Sequence, residues 1–215
     1  MGLHRDTRIL VADECPAVVQ GLKEALASLP EVVVVGGATG SEETLSLAEE
    51  LLPDLIVLDP SFQAEAPVPL RDGEVPELDL VRELKSLPGP PVVVFYSSFN
   101  TTADLMALVL AGADGYIHKA TPLEQLTDDV KDAAAGDHPW RLGLEPAEAK
   151  RRLLAASRVW RLSPAEKKVL SLVLRGGKDE QIAEVLHLSS HTVKNHVRSL
   201  LRKLEYRYRR EIFED

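Results

Sequence analysis

The 215 residues suffice for one domain of roughly 120–140 residues plus a small module of about 60. A content of 45% hydrophobic and 27% charged residues argues against long disorder, and the single cysteine, Cys15, excludes an internal disulfide framework. The net charge of −9 divides unevenly: residues 1–160 carry a net −13 and residues 161–215 a net +4, so any affinity for a polyanion belongs to the C-terminal part.

No apolar run approaches the roughly 20 residues that span a bilayer, and Met1 to Thr7 is polar, without the apolar core of a signal peptide. The expectation is a cytoplasmic protein with no membrane partner.

The first part alternates strand and helix signals. Ile9 to Ala12 is a short apolar run that ends in acids. Val19, Leu22, Leu26 and Leu29 then recur at helical spacing, with Pro16 suited to a first turn. Val32 to Val35 is β-branched and is expected to end at Gly36-Gly37. Ser41 can cap a helix whose apolar face is Leu45, Ala48, Leu51 and Leu52. Leu55 to Leu58, Val92 to Phe95 and Ala113 to Ile117 read as three further strands. Helices are expected near 78–87, 101–111 and 122–135. Pro60 to Pro76 has four prolines, several acids and no periodicity, and reads as an extended loop.

Near-continuous apolar strands separated by amphipathic helices indicate a parallel sheet covered on both faces. The fold expected for residues 1–136 is a doubly wound α/β domain with a five-stranded parallel sheet. Ligands of such folds bind beyond the carboxyl ends of the strands. Those ends carry Asp13, Glu14, Asp59, Ser97 and Lys119. Carboxylates on neighbouring strand ends can share a Mg²⁺, Asp59 can act as nucleophile toward a phosphoryl group, and Ser97 and Lys119 can hold its oxygens. Taken singly, each acid could equally be a helix cap or a turn opener. Five such residues at four strand ends favour the functional reading.

These stretches resemble the receiver domain of two-component response regulators: Arg8 to Pro16 (RILVADECP), Pro53 to Asp59 (PDLIVLD) and Gly112 to Lys119 (GADGYIHK). The resemblance implies a flavodoxin-like domain with Asp59 as phosphoacceptor and Asp13 and Glu14 as the metal-binding acid pair. The backbone carbonyl of Ser61 would be a further metal ligand. Ser97, Tyr116 and Lys119 would form the switch. A sensor histidine kinase would be the phosphate source. The chain departs from the family pattern at Glu14, usually Asp, in the Asp59-Pro-Ser-Phe62 segment, and in the length of the loop that follows.

Residues 137–160 read as a partly helical linker, broken at Pro139-Trp140 and helical from Pro146 to Trp160. Residues 161–215 form a small all-α module. Ser163 is a helix cap with Pro164 in the first position and Glu166 three after the cap. Asp179 to Leu186 is a second helix, Leu188-Ser189-Ser190 a turn, and Thr192 to Leu204 a third helix. Lys194, Arg198 and Arg202 recur every four residues on one face of the third, with Asn195 beside them and Lys203 and Arg207 suited to phosphates. Charge alone would make this an ordinary solvated face. The helix-turn-helix pattern before it points to double-stranded DNA.

Leu188 to His196 (LSSHTVKNH) with Leu201 to Leu204 (LRKL) resembles the helix-turn-helix of LuxR/NarL-type regulators. That resemblance implies base contacts from Lys194, Asn195 and Arg198, and backbone contacts from Thr192 and His196. It also implies a homodimer in the active state. His187, His191 and His196 straddle a turn without a cysteine partner, a poor pattern for metal.

The expected function is therefore a DNA-binding transcriptional response regulator controlled by aspartyl phosphorylation, and not an enzyme. One alternative keeps the DNA-binding module but makes the first domain an atypical receiver, used for dimerisation or ligand binding without phosphate. Another is a stand-alone phosphoryl-transfer enzyme. It leaves the last 55 residues unused and has no Gly-rich phosphate loop.

Overall fold

The computed structural model describes residues 6–60 and 76–214, with backbone only at 76–79. The expected loop from Pro60 to Pro76 and the carbonyl of Ser61 therefore fall outside the described residues, apart from the ends of that loop. In chain order the elements are β1 (Thr7–Ala12), α1 (Pro16–Leu26), β2 (Val32–Ala38), α2 (Ser41–Leu51), β3 (Leu55–Leu58) and α3 (Pro76–Ser86). They continue with β4 (Val92–Ser97), α4 (Thr102–Ala111), β5 (Gly115–His118), α5 (Leu123–Ala134), β6 (Trp140–Arg141) and α6 (Pro146–Ser157). Last come α7 (Pro164–Leu174), α8 (Asp179–Val185) and α9 (Ser190–Leu204), with short 3-10 helices at Arg158–Arg161 and Arg209–Phe213. Among the described residues no helix is long and apolar enough to cross a membrane.

The described chain forms two compact units. The first comprises residues 6–60, 80–99 and 112–144. It is built on one parallel sheet in the order β2-β1-β3-β4-β5-β6. Successive strand residues point to opposite faces, and β1 and β3 are buried on both. Ile9, Val11, Leu55 and Val57 meet Leu22 and Leu26 of α1 and Leu126 and Val130 of α5 in one apolar cluster. Leu10 faces the other way, toward the side covered by α2.

Two sequence expectations need correction. The sheet has six strands, not five. Beyond α5 the chain returns to the edge of β5, where Tyr116 N donates to Pro139 O (2.7 Å) and Tyr116 and Ile117 pair with Trp140 and Arg141. Arg141 is fixed there by the buried Asp129 carboxylate, 2.9 Å from its Nε. A two-residue strand is too short to show a period of two, so the sequence carried no sign of it. Secondly, β2 does not end at Gly36-Gly37 but runs through them to Ala38. A Cβ on Gly37 would lie 2.6 Å from Val19 Cγ1, and one on Gly36 2.9 Å from Leu51 Cδ1. These glycines let α1 and α2 approach the sheet rather than stop the strand.

The second unit comprises residues 76–79, 100–111 and 145–214. Its core is Val169, Leu170 and Val173 of α7, Ile182 and Ala183 of α8, and Val193, Leu200 and Leu204 of α9. The α4 helix packs in this unit against α6, and Arg152 Nη1 donates to Asn100 O (2.8 Å) at the start of α4. The capping box is formed as expected: Glu166 N donates to Ser163 Oγ (3.3 Å) and Ser163 N to Glu166 Oε2 (2.7 Å). The α9 helix begins two residues earlier than expected, because Ser189 Oγ accepts from Thr192 N (3.0 Å) and makes Ser189 the cap.

Candidate functional site

The sheet order makes β1, β3, β4 and β5 consecutive neighbours, and the strands are parallel, so their carboxyl ends lie along one edge. Asp13 follows β1, Asp59 follows β3, Ser97 ends β4 and Lys119 follows β5. The backbone holds these positions in register: Asp59 N donates to Ala12 O (2.8 Å) and Lys119 N to Ser97 O (2.9 Å). Asp13, Asp59 and Ser97 are each no more than 2% exposed. Near-complete burial of two carboxylates requires a counter-charge. It is the Lys119 ammonium, 2.6 Å from Asp13 Oδ2 and hydrogen-bonded also to Asp59 Oδ2. Burial works against the charged lysine, but the hydrogen bonds and charges of Asp13 and Asp59 outweigh it and hold its pKa above the ordinary value.

Tyr116 is fully buried, and its hydroxyl faces the carbonyl oxygens of Ser97 and Phe99, each at 2.9 Å. Ser97 Oγ accepts from Phe99 N (3.2 Å). Four of the sequence-derived residues, Asp13, Asp59, Ser97 and Lys119, thus meet at one place, with Tyr116 against the loop behind Ser97. Glu14 is exposed, while the neighbouring Cys15 N donates to Asp13 Oδ1 (2.9 Å).

Two residues at this site were not singled out from the sequence. The Tyr96 ring lies 5.6 Å from the Lys119 ammonium, and burial raises its hydroxyl pKa. His118 bonds to the loop after Ser97. Both stand directly beside a marked residue, and that adjacency was the available signal.

The second unit presents α9. Lys194, Asn195, Arg198 and Arg202 are all exposed, as their four-residue spacing requires when Val193, Leu200 and Leu204 are buried. Thr192 and His196 are partly exposed, and Thr192 Oγ1 lies 2.8 Å from Ser189 Oγ. Lys203 differs from the rest of the basic face. Its ammonium is 2.6 Å from Glu166 Oε2, whose side chain is 5% exposed. Burial opposes ionisation of Glu166, but hydrogen bonds from Lys203, Ser163 and Ser199 bring its pKa down to about 2. Lys203 is therefore engaged by the α7 cap.

Comparisons with known proteins agree with this two-part geometry. Residues 9–131 match the response regulator receiver domain family, and residues 161–214 match the bacterial regulatory proteins of the luxR family. The chain is 34% identical over 215 residues to the nitrate/nitrite response regulator protein NarL of Escherichia coli, covering 98% of this chain and 95% of that protein. It is 26% identical over 198 residues to the response regulator protein VraR of Staphylococcus aureus, covering 92% and 90%. Among solved structures, a complex of the two-component response regulator RcsB with DNA aligns with a TM-score of 0.58 at 22% identity, over 94% of both chains. RcsB of Salmonella enterica serovar Typhimurium, bound to promoter P1flhDC with the phosphomimetic BeF3−, gives 0.59 at 21% identity, over 97% and 96%. At such identities the structures speak for the fold. The family matches and the near full-length relative show more: this chain belongs to the response regulators, with a receiver domain and a LuxR-type DNA-binding domain.

Proposed function

We propose that this response regulator is controlled by phosphorylation of Asp59 and regulates transcription by binding double-stranded DNA through α9. The observation that carries the reading is the burial of Asp59 beside Asp13 and Lys119 at the sheet edge. The division that serves it is a receiver over 1–136, a linker over 137–160 whose first residues add the sixth strand to the receiver's sheet, and a DNA-binding domain over 161–215. The setting is the cytoplasm, the phosphate source a sensor histidine kinase, and the active state a homodimer.

Among the described residues two buried carboxylates face one ammonium, and their hard oxygen donors fit Mg²⁺. Asp13 and Asp59 would hold the metal, with Glu14 and the Ser61 carbonyl completing the set of the family. When bound, Mg²⁺ neutralises charge on the incoming phosphoryl group. An Asp59 oxygen attacks phosphorus, the bond from phosphorus to the donor breaks, and an acyl phosphate forms. Lys119 then turns from the carboxylates to the phosphoryl oxygens, and Ser97 Oγ gives up Phe99 N to reach another. Displacement of the 97–99 segment favours one of two receiver states.

On the DNA side, Lys194, Asn195 and Arg198 read base edges, while Thr192, His196 and Arg202 lie nearer the phosphates. Lys203 contributes to the phosphate field only to the extent that it leaves Glu166.

The test is labelling of the full-length chain with acetyl phosphate and Mg²⁺, beside Asp59→Ala, with sedimentation in beryllofluoride. Label on the wild type alone, with a mimic-dependent dimer, supports the proposal. Label on both proteins or on neither overturns it. It would favour the receiver as a phosphate-independent dimerisation module, a reading that the exposed Glu14 supports.

A further inference from the structure

Three successive carbonyls follow the switch hydroxyl, those of Ser97, Ser98 and Phe99, and β5 grips all three. Tyr116 faces the first and third. The second is held by His118, two residues on and so on the same side of the strand. His118 Nε2 lies 3.2 Å from Ser98 O. Ala120 N donates to Nδ1 at 3.1 Å. A ring nitrogen that accepts carries no hydrogen, so the ring proton is on Nε2 and is donated to Ser98 O. Both nitrogens of the imidazole are thus committed to backbone, one to the segment after β4 and one to the segment after β5.

The other side of the ring meets the start of the linker. Gly143 has φ +66°, in the left-handed region, and a Cβ there would lie 2.8 Å from His118 Nδ1 and 2.9 Å from Cγ. No side chain other than hydrogen fits between the ring and this backbone, so movement of the ring cannot be taken up by slack. Residue 143 is followed by Leu144 and Glu145 and then by α6, the helix through which the chain continues to the DNA-binding domain.

Resting on the phosphorylation reading above, we propose that His118 is a positioning residue. It carries displacement of the Ser97–Phe99 segment to Gly143, and hence to the chain entering α6. When Ser97 Oγ turns toward the phosphoryl group, Ser98 O moves with it. The imidazole follows or loses its bond, and either change alters the contact that holds Gly143. Tyr116 senses the same segment but is buried in the receiver. His118 supplies the connection out of it.

Two substitutions separate the arms of the imidazole. His118→Asn keeps an acceptor where Nδ1 stands but cannot reach Ser98 O. His118→Gln places an amide donor near the position of Nε2. The experiment is hydrogen exchange of the full-length protein with Mg²⁺, with and without beryllofluoride, read on the peptide covering residues 138–147. Fluorine NMR reports in parallel whether the fluoroberyllate is bound. The expected result is a mimic-dependent change of exchange in that peptide in the wild type and His118→Gln. It is lost in His118→Asn, although all three bind the mimic. A wild type that binds the mimic without a change at 138–147 overturns the relay alone, as does an unaltered response in His118→Asn or a lost one in His118→Gln. A wild type that binds no fluoroberyllate overturns the phosphorylation reading, and the relay with it.

Discussion

The Lys203 ammonium lies 2.6 Å from the buried Glu166 carboxylate, so one residue of the recognition helix is tied to the cap of the first helix of the DNA-binding domain. Glu166 accepts from Ser163 N at 2.7 Å and from Lys203, with a further hydrogen bond from Ser199. Glu166→Ala is expected to lower the stability of this domain by about 1–3 kcal/mol, because it removes charge-assisted bonds around a buried helix end. Thermal unfolding of the full-length variant, followed by helical circular dichroism, checks this. A change of less than about 0.5 kcal/mol would mean that the pair is only a surface contact.

The same group predicts a pH dependence. Its folded-state pKa of about 2 is below the ordinary value of 4.5, so its stabilisation is fully present above about pH 4.5. It is lost as the pH falls from there toward 2, where the folded-state carboxylate also takes up its proton. The difference in stability between wild type and Glu166→Gln should therefore shrink through that window. A difference that stays constant would assign the effect of Glu166 to packing.

Arg198 is exposed in the middle of the recognition helix, and Arg202 lies one turn further along. Arg198→Ala should cost about 1–3 kcal/mol in binding a duplex recovered by selection with the wild-type protein, and should relax preference at one base. Arg202→Ala should weaken all duplexes alike and reduce the salt slope by about one. Competition binding on single-base variants at two salt concentrations tells them apart. A uniform loss with Arg198→Ala would make it a phosphate contact.

Lys119 is the cation shared by Asp13 and Asp59, both nearly without exposure. Lys119→Ala leaves two buried carboxylates facing each other, so the melting temperature should fall in the absence of divalent ions. Millimolar Mg²⁺ should raise it more in the variant than in the wild type, because the metal replaces the missing charge. Equal shifts in both proteins would argue against a shared cation site.

Gly37 lies against Val19, with only 2.6 Å between an added Cβ and Val19 Cγ1. Gly37→Ala should destabilise the receiver by about 1–3 kcal/mol through overpacking against α1. Chemical denaturation of the full-length protein reads this. A neutral substitution would mean that α1 shifts freely on the sheet.

Much of this was legible in the chain because local patterns carry it. The apolar runs at Ile9, Leu55 and Val92, set between amphipathic helices, read as buried strands, and acids standing directly after two of them identified the edge where Asp13 and Asp59 meet. Ser163 and Glu166 form the capping box their spacing required, and the four-residue period of Lys194, Arg198 and Arg202 sufficed to put them on one exposed face. What was misread lacked a local pattern. Trp140 and Arg141 become strand only because β5 offers a free edge beside them. Gly36 and Gly37 read as breakers until α1 and α2 are laid on the sheet.

The sequence by itself determined the two domain types, the position of the acidic site and the basic face of the last long helix. These follow from periodicity and residue chemistry, which are properties of near neighbours along the chain. Only the tertiary structure decided the rest. Lys119 is shared between Asp13 and Asp59 across 106 and 60 positions of sequence. Lys203 belongs to Glu166 more than to a free phosphate-binding face, and the His118 ring joins Ser98 to Gly143. Such pairings depend on which strand ends and helix faces the fold brings within about 3 Å, a distance that no spacing along the chain encodes.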